Sequence, residues 1–288
     1  MFWLAVLLAG NVLPARAAES YDSCTGFIDS LPATIGAQGT WCLRKNLSTA
    51  LASGAAITIA ANNVTIDCNN FKIGGLAAGD GTQTIGIHAD GPLNASVREC
   101  RIRGFMVGIE LYSGGGHRVE ENDLDDNTLV GINVVGPSSL IRGNTVLNTG
   151  GSSREVGFVR GIRAWRGVDV VDNTVDGVVT SPLGGAVYGI YTLANINSVV
   201  SNNRVRGLAP SHESSAYGIR NHASGTIVVS GNVVHGNPTG MPFSGVGIGC
   251  SESWATSKNN VVVGFSTGIE GCASYSDIVR FDASSQPE

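Results

Sequence analysis

Arg163, Trp165, Tyr191, Arg220 and His222 carry the residue types in this 288-residue chain that could act together on a ligand. Tyr191 follows Arg163 by 28 residues and Arg220 follows Tyr191 by 29, while Trp165 and His222 each stand two places after an arginine. Guanidinium groups fork onto carboxylates or sulfates, and aromatic rings stack on the apolar faces of sugars. Against a uronate, Arg163 or Arg220 would neutralise the carboxylate and ease removal of the neighbouring C5 proton. His222 or Tyr191 would take that proton, and the other would give one to the leaving oxygen. This chemistry calls for no cofactor and no metal, and neither is expected. It does require side chains far apart in sequence to be gathered on one face.

The elements that could gather them are written in a repeat. Gly-Ile recurs at Gly86-Ile87, Gly108-Ile109, Gly131-Ile132, Gly161-Ile162, Gly189-Ile190, Gly218-Ile219, Gly247-Ile248 and Gly268-Ile269, in steps of 22, 23, 30, 28, 29, 29 and 21 residues. Asn-x-Val/Leu runs in phase with it at Asn122, Asn144, Asn173, Asn203, Asn232 and Asn260, and Cys100-Arg101-Ile102 fills that slot one repeat earlier. Two markers locked in phase at this period predict a solenoid. Units rich in Val, Ile, Asn and Gly, without a helix-length amphipathic stretch, make it a parallel β-solenoid. Coils stack about 4.8 Å apart, so equivalent positions become ladders. The isoleucines must face inward, and the asparagines should bond from coil to coil at a turn.

Strand alternation then sorts the flanking residues. Outward after each Ile run His88, Glu110, Asn133, Arg163, Tyr191, Arg220, Gly249 and Glu270. Two places further on run Asp90, Tyr112, Val135, Trp165, Leu193, His222, Ser251 and Cys272. The glycine of each Gly-Ile is expected outward as well, flattening the face. Arg163, Trp165, Tyr191, Arg220 and His222 thereby fall within roughly 10–15 Å, with Glu110, Tyr112 and Asn133 extending the face as substrate contacts. From each Asn slot to the next Gly-Ile the spacing is 8, 9, 17, 16, 15, 15 and 8 residues, so the extra length sits in one connection of four central coils. Those inserts, within 149–155, 180–185, 210–215 and 237–242, should project from one flank as a wall. His212 and Glu213 in the third insert are expected to reach a ligand. A third outward column holds Arg103, Asp125, Leu147, Asp176, Arg206 and His235. Its opposite charges on adjacent coils predict surface ion pairs worth under ~1 kcal/mol each.

Composition narrows the setting. Forty Gly, 42% hydrophobic and 14% charged residues exclude collagen, a disordered chain and a helical bundle. Eighteen Lys and Arg against 23 Asp and Glu leave no basic footprint for nucleic acid. The apolar run Phe2–Gly10, followed by Ala15-Arg16-Ala17-Ala18, reads as a signal peptide over 1–18. It is too short for the ~20 residues of a membrane span, and no later segment is a candidate. Six cysteines suit an oxidising compartment, so a secreted or periplasmic protein is expected. Six allow 15 connectivities. Their order and the repeat register suggest Cys24–Cys42, Cys68–Cys100 and Cys250–Cys272. The chain divides into a cap and first strand over 19–60, a solenoid over 61–282 and a polar tail over 283–288, and is expected to work as a monomer.

Ser30-Leu31-Pro32, Gly39-Thr40-Trp41-Cys42-Leu43, Ala56-Ile57-Thr58-Ile59 and Asn63-Val64-Thr65-Ile66-Asp67 resemble the N-terminal cap and first coil of bacterial β-helix-repeat proteins. With the repeat, the stretch from about 21 to 282 resembles the secreted β-helix superfamily of pectate lyases, polygalacturonases and alginate epimerases. The resemblance implies an all-β, right-handed parallel β-helix of about eight or nine coils with an N-terminal cap. Fold does not carry activity with it. Asn144-Thr145-Val146 and Asn173-Thr174-Val175 lack the aspartates of the polygalacturonase-like pattern, and Gly116-His117-Arg118 departs from Gly-His-Gly. Asp125-Asp126 lies outside the groove, which disfavours a two-carboxylate glycosidase. The epimerase-like Asp-Pro-His is missing, and no acidic cluster is dense enough for calcium. Two expectations remain. One is a protein that binds an acidic polysaccharide on a lateral groove and cleaves it by elimination or epimerises it. The other is a non-catalytic glycan-binding or envelope scaffold.

Overall fold

A computed structural model describes residues 21–154, 157–194, 197–211, 214–222, 225–236, 245–251 and 254–281. The expected signal peptide and polar tail, the insert at 237–242, and both His212 and Glu213 lie outside the described residues. The chain winds through three parallel sheets. Ten strands, from Ala33–Ile35 to Thr267–Glu270, form the sheet that carries Gly-Ile. Ten more, from Leu47–Ser48 to Ile278–Arg280, carry the Asn-x-Val/Leu marker. Eleven, from Gly26–Ile28 to Ala273–Tyr275, close the third side. Residues 26–59, expected as cap and first strand, supply the first strand of every sheet. Among the described residues, ten strands in two sheets and eleven in the third include these N-terminal strands beside the eight coils that Gly-Ile marks.

The isoleucines form one ladder, paired in register from Ile57 through Ile87, Ile109, Ile132, Ile162, Ile190, Ile219 and Ile248 to Ile269. All but Ile269 are buried. The glycines beside them correct the expectation that they face outward. A Cβ on Gly189 would lie 2.3 Å from Val205 Cγ1 and 2.6 Å from the Gly218 carbonyl oxygen, and Gly161 and Gly218 meet Val175 and Val234 in the same way. These glycines face the interior, where the Gly-Ile sheet closes on the inward valines of the Asn sheet. Gly and Ile are buried in succession, so strand alternation breaks between them, and each Gly drops out of the paired register. Only a residue without a side chain fits there.

The asparagine ladder is buried and continuous. Asn122 Nδ2 donates to Asn144 Oδ1, Asn144 to Asn173, Asn173 to Asn203, Asn203 to Asn232 and Asn232 to Asn260, all at 2.9–3.0 Å. Each Oδ1 also accepts the backbone N–H of the preceding ladder residue, from Cys100 onward. Asp277 receives the last rung. The left-handed turn residue is the one before each rung, as at Glu121 (φ 55°), Asp172 (φ 58°) and Asn202 (φ 57°). The three disulfides are Cys24–Cys42, Cys68–Cys100 and Cys250–Cys272, as the register suggests. Among the described residues no helix is long and apolar enough to cross a membrane. On the Asn sheet, Arg103 pairs with Asp125 and also Asp126, and Arg206 with Asp176, the latter pair 2.7 Å apart.

Candidate functional site: a lateral face of arginine and aromatic columns

The Gly-Ile sheet presents the first predicted column in exact register. Thr58, His88, Glu110, Asn133, Arg163, Tyr191, Arg220, Gly249 and Glu270 pair coil by coil. In the second column Val135, Trp165, Leu193 and His222 are in register, and Ser251 Oγ reaches His222 Nδ1 at 2.8 Å. Cys272 does not continue that column outward, because its sulfur is tied to Cys250. Tyr112 is exposed beside Asp90, two coils from Trp165 along this column and separated from it by the buried Val135.

Because alternation breaks at glycine, a further outward column precedes each Gly-Ile. It runs Val130, Arg160, Tyr188, Tyr217 and Val246, in register. The alternation rule applied across glycine misses these residues. The repeated Tyr-Gly-Ile at Tyr188-Gly189-Ile190 and Tyr217-Gly218-Ile219 is the signal that could have found them. Tyr188 and Tyr217 stack with centroids 5.0 Å apart and planes 8° from parallel. Tyr188 meets Tyr191 and Phe158 edge-on. Such pairs add about 0.5–1.5 kcal/mol each beyond their burial and fix the rings in place. Burial, with Tyr217 alongside, pushes the Tyr188 phenol above its ordinary range. Arg160 lies over Tyr191 at 4.9 Å and Tyr188 at 5.6 Å. Burial and the nearby Arg163 lower the Arg160 pKa, yet a guanidinium keeps its charge in proteins.

Three arginines crowd one coil. Arg163 and Arg166 sit 5.2 and 5.0 Å from the Trp165 ring, and Arg160 is on the same strand. Among the described residues none of the three has a carboxylate partner within ion-pair distance. Arg160 Nε, Arg163 Nε, Trp165 Nε1 and Asn133 Oδ1 are buried polar atoms without a hydrogen-bond partner.

Arg220 differs. Its guanidinium pairs with Glu270, and its Nε–H donates to His222 Nε2 at 3.4 Å. An arginine Nε has only a proton to give, so His222 Nε2 bears the lone pair and the ring proton points from Nδ1 to Ser251. Burial, then Arg220, lowers the His222 pKa, which keeps the imidazole neutral near pH 7. Tyr191 and His222 lie 5.7 Å apart by ring centroids. Toward the N-terminus, Asn133 Nδ2 donates to Glu110 Oε1 at 2.8 Å, and His88 Nδ1 lies 3.2 Å from Glu110 Oε2.

The described parts of the inserts at 149–154, 180–185 and 210–215 lie on one flank, between the Asn sheet and the Gly-Ile sheet. Part of their length extends the Asn sheet, where Thr149 and Gly150 pair with Val178 and Val179. Ser181 Oγ donates to the Ser152 carbonyl at 2.8 Å, tying one insert to the next. Ser153 Oγ donates to Asp80 at 2.9 Å, so the turn after Leu76–Ala78 joins this wall, which the Gly-Ile spacing could not show. Among the described residues no group of three or more His, Cys, Asp or Glu is placed to hold a metal.

A parallel β-solenoid with a polar and aromatic lateral strip is thus the class of molecule on view. The right-handed β-helix region family matches residues 41–181 and again 86–266, and the chain belongs to that family. Among solved structures it is similar to the A-module of the Azotobacter vinelandii mannuronan C-5 epimerase AlgE6, at 13% identity and TM-score 0.44, over 91% of this chain and 81% of that one. It is also similar to the Dettilon tailspike protein, at 12% identity and TM-score 0.38, over 88% of this chain and 60% of that one. No curated protein sequence matches the chain.

Proposed function

We propose that this is a secreted or periplasmic β-helix that binds an acidic polysaccharide along the Gly-Ile sheet, with Arg163 and Trp165 at the centre of recognition. One observation carries the reading. Arg160, Arg163 and Arg166 bring three guanidinium groups together on one coil with no carboxylate within ion-pair distance among the described residues, a cluster of like charge that an anion would neutralise. A carboxylate or sulfate on an extended polymer supplies acceptors for guanidinium donors, while the half-buried Tyr191 and Tyr217, held in place by the buried Tyr188, offer ring surface to the sugars. The three disulfides suit an oxidising compartment.

The resting geometry favours recognition over turnover, since Arg220 is engaged by Glu270 and the His222 lone pair is directed at Arg220. Turnover by elimination or epimerisation is the second reading, favoured by a neutral His222 beside Tyr191. In it Arg163 neutralises the uronate and His222 and Tyr191 divide the base and acid roles. Calorimetric titration with polygalacturonate, alginate and hyaluronan, against neutral glucans, tests the binding. Acidic polymers should bind and Arg163→Ala should weaken that binding at least tenfold. Equal binding of neutral glucans, or no binding of any acidic polymer, would overturn it. Unsaturated or C5-inverted products in the same mixtures would select the second reading.

A further inference from the structure

A cavity of about 540 Å³ lies at the N-terminal end of the same strip, within the roughly 300–1,000 Å³ of ordinary small-molecule sites. Thr58, Asn62, His88 and Asp90 supply its polar lining, and Ile59 and Pro92 part of its apolar lining. We infer that this cavity is a sugar subsite for an uncharged residue of the polymer whose acidic residue sits on Arg163, an inference that rests on the acidic-glycan reading.

The charges decide the chemistry. Asp90 is exposed at the cavity and has no cationic partner within ion-pair distance among the described residues. Behind it, both oxygens of Glu110 are engaged, one by Asn133 and one by the His88 contact, which is close but off the hydrogen-bond direction. His88, chiefly, with Asn133 and then Arg163, holds the Glu110 carboxyl below its ordinary range, so it stays ionised. Asp90 and His88 are the ionisable groups of the lining, and Glu110, outside it, offsets the imidazolium whenever His88 is protonated, so the Asp90 carboxylate stays unopposed at the cavity. A uronate placed there meets like charge. Sugar hydroxyls instead donate to the Asp90 carboxylate in charge-assisted bonds. The contact with Glu110 fixes the His88 ring by Nδ1 and leaves Nε2 as the polar atom a hydroxyl can reach. The apolar side of a pyranose ring then faces Ile59 and Pro92.

His88 is three coils from Arg163, or about 14 Å at the usual coil spacing. One strip thus presents a cationic point and a hydroxyl-accepting, anion-rejecting point at a fixed separation. A polymer that alternates charged and neutral sugars satisfies both. A polyuronate satisfies only the first.

Titration of the wild-type protein with a gellan oligosaccharide, in which neutral sugars separate the glucuronates, and with an oligogalacturonate reads the difference. The gellan ligand should bind at least tenfold tighter. Asp90→Ala and His88→Ala should each lose about tenfold on gellan and leave oligogalacturonate unchanged, with circular dichroism confirming the fold. The His88 ring resonances should shift with gellan and, at higher concentration, with neutral cellotetraose. Equal loss on both acidic ligands, or unmoved His88 resonances with gellan and cellotetraose, would overturn the subsite while leaving Arg163-dependent binding intact. Conversely, His88 shifts with cellotetraose in a protein that binds no acidic ligand would sink the acidic-glycan reading and leave the subsite standing.

Discussion

Arg220 reaches across Gly249, one coil away, to pair with Glu270 on the next. A Cβ on Gly249 would lie 2.4 Å from Arg220 Nη1, so the glycine is what lets the side chain lie flat along the strip. Glu270 occupies the guanidinium that a ligand carboxylate would otherwise take. Glu270→Gln should therefore tighten acidic-glycan binding, by up to about fivefold, because partly exposed pairs are worth about 0.2–1 kcal/mol. Calorimetry at low and high salt checks this, and unchanged affinity would show that Arg220 takes no part.

Arg163 should be separable from a generic positive charge. Arg163→Ala is expected to weaken acidic-glycan binding at least tenfold. Arg163→Lys should recover little of it, because an ammonium lacks the planar fork of donors. Full recovery by lysine would mean that the contact is a point charge alone.

The His88–Glu110 contact makes stability depend on pH in a stated direction. Glu110, chiefly, and then Asp90 raise the His88 pKa above its ordinary 6.5. A raised folded-state pKa contributes stability that is fully present below 6.5 and lost as pH rises through the folded value. Glu110 has the opposite sign: its lowered pKa contributes stability above its ordinary 4.5, lost as pH falls through the folded value. Thermal unfolding scanned across pH should show both slopes in the wild type. His88→Ala should abolish the upper one, and a wild-type slope retained in that variant would assign it elsewhere.

Asn173 is bonded to both neighbouring rungs and to the Ile141 carbonyl, all in the interior. Asn173→Ala would strand the buried backbone N–H of Asn144 and take donors from the Ile141 carbonyl and Asn203 Oδ1, while Asn144 Nδ2 keeps the Val119 and Arg142 carbonyls, at about 1–3 kcal/mol for each group left unsatisfied. A loss of about 2–3 kcal/mol or more in denaturant unfolding is expected, where truncating an exposed strand residue such as Arg204 should cost almost nothing.

The interior glycines should behave unlike turn glycines. Gly189→Ala puts a methyl against Val205 and the Gly218 carbonyl, and overpacking of this kind costs typically 1–3 kcal/mol. Adding Val205→Ala should restore only part of the stability, since the carbonyl contact remains. Complete rescue would show that the valine alone sets the requirement.

The repeat made most of this fold legible. Ile and Asn have side chains whose burial or bonding demands one direction, so their columns could be read from spacing, and the disulfides followed from the register. Glycine has no side chain to orient. The alternation rule passed through it unaltered and hid the break that turns Arg160, Tyr188 and Tyr217 outward. The ion pairs between adjacent coils were legible, as at Arg103–Asp125 and Arg206–Asp176, but the Arg220–Glu270 pair was hidden, because the two are 50 residues apart and meet across Gly249.

The asparagine ladder also has a direction. Every ladder amide points one N–H to the next rung toward the C-terminal end and gives the other to a carbonyl of the preceding coil, so the rung-to-rung bonds all run one way and end on the Asp277 carboxylate. This is the arrangement of an anion at the amino end of an α-helix, built here from side chains. Because every rung offers the same donor forward and the same acceptor backward, a whole coil could be excised or duplicated between two asparagines without leaving an unmatched group. The molecule can change length by units, provided that the terminating anion is kept.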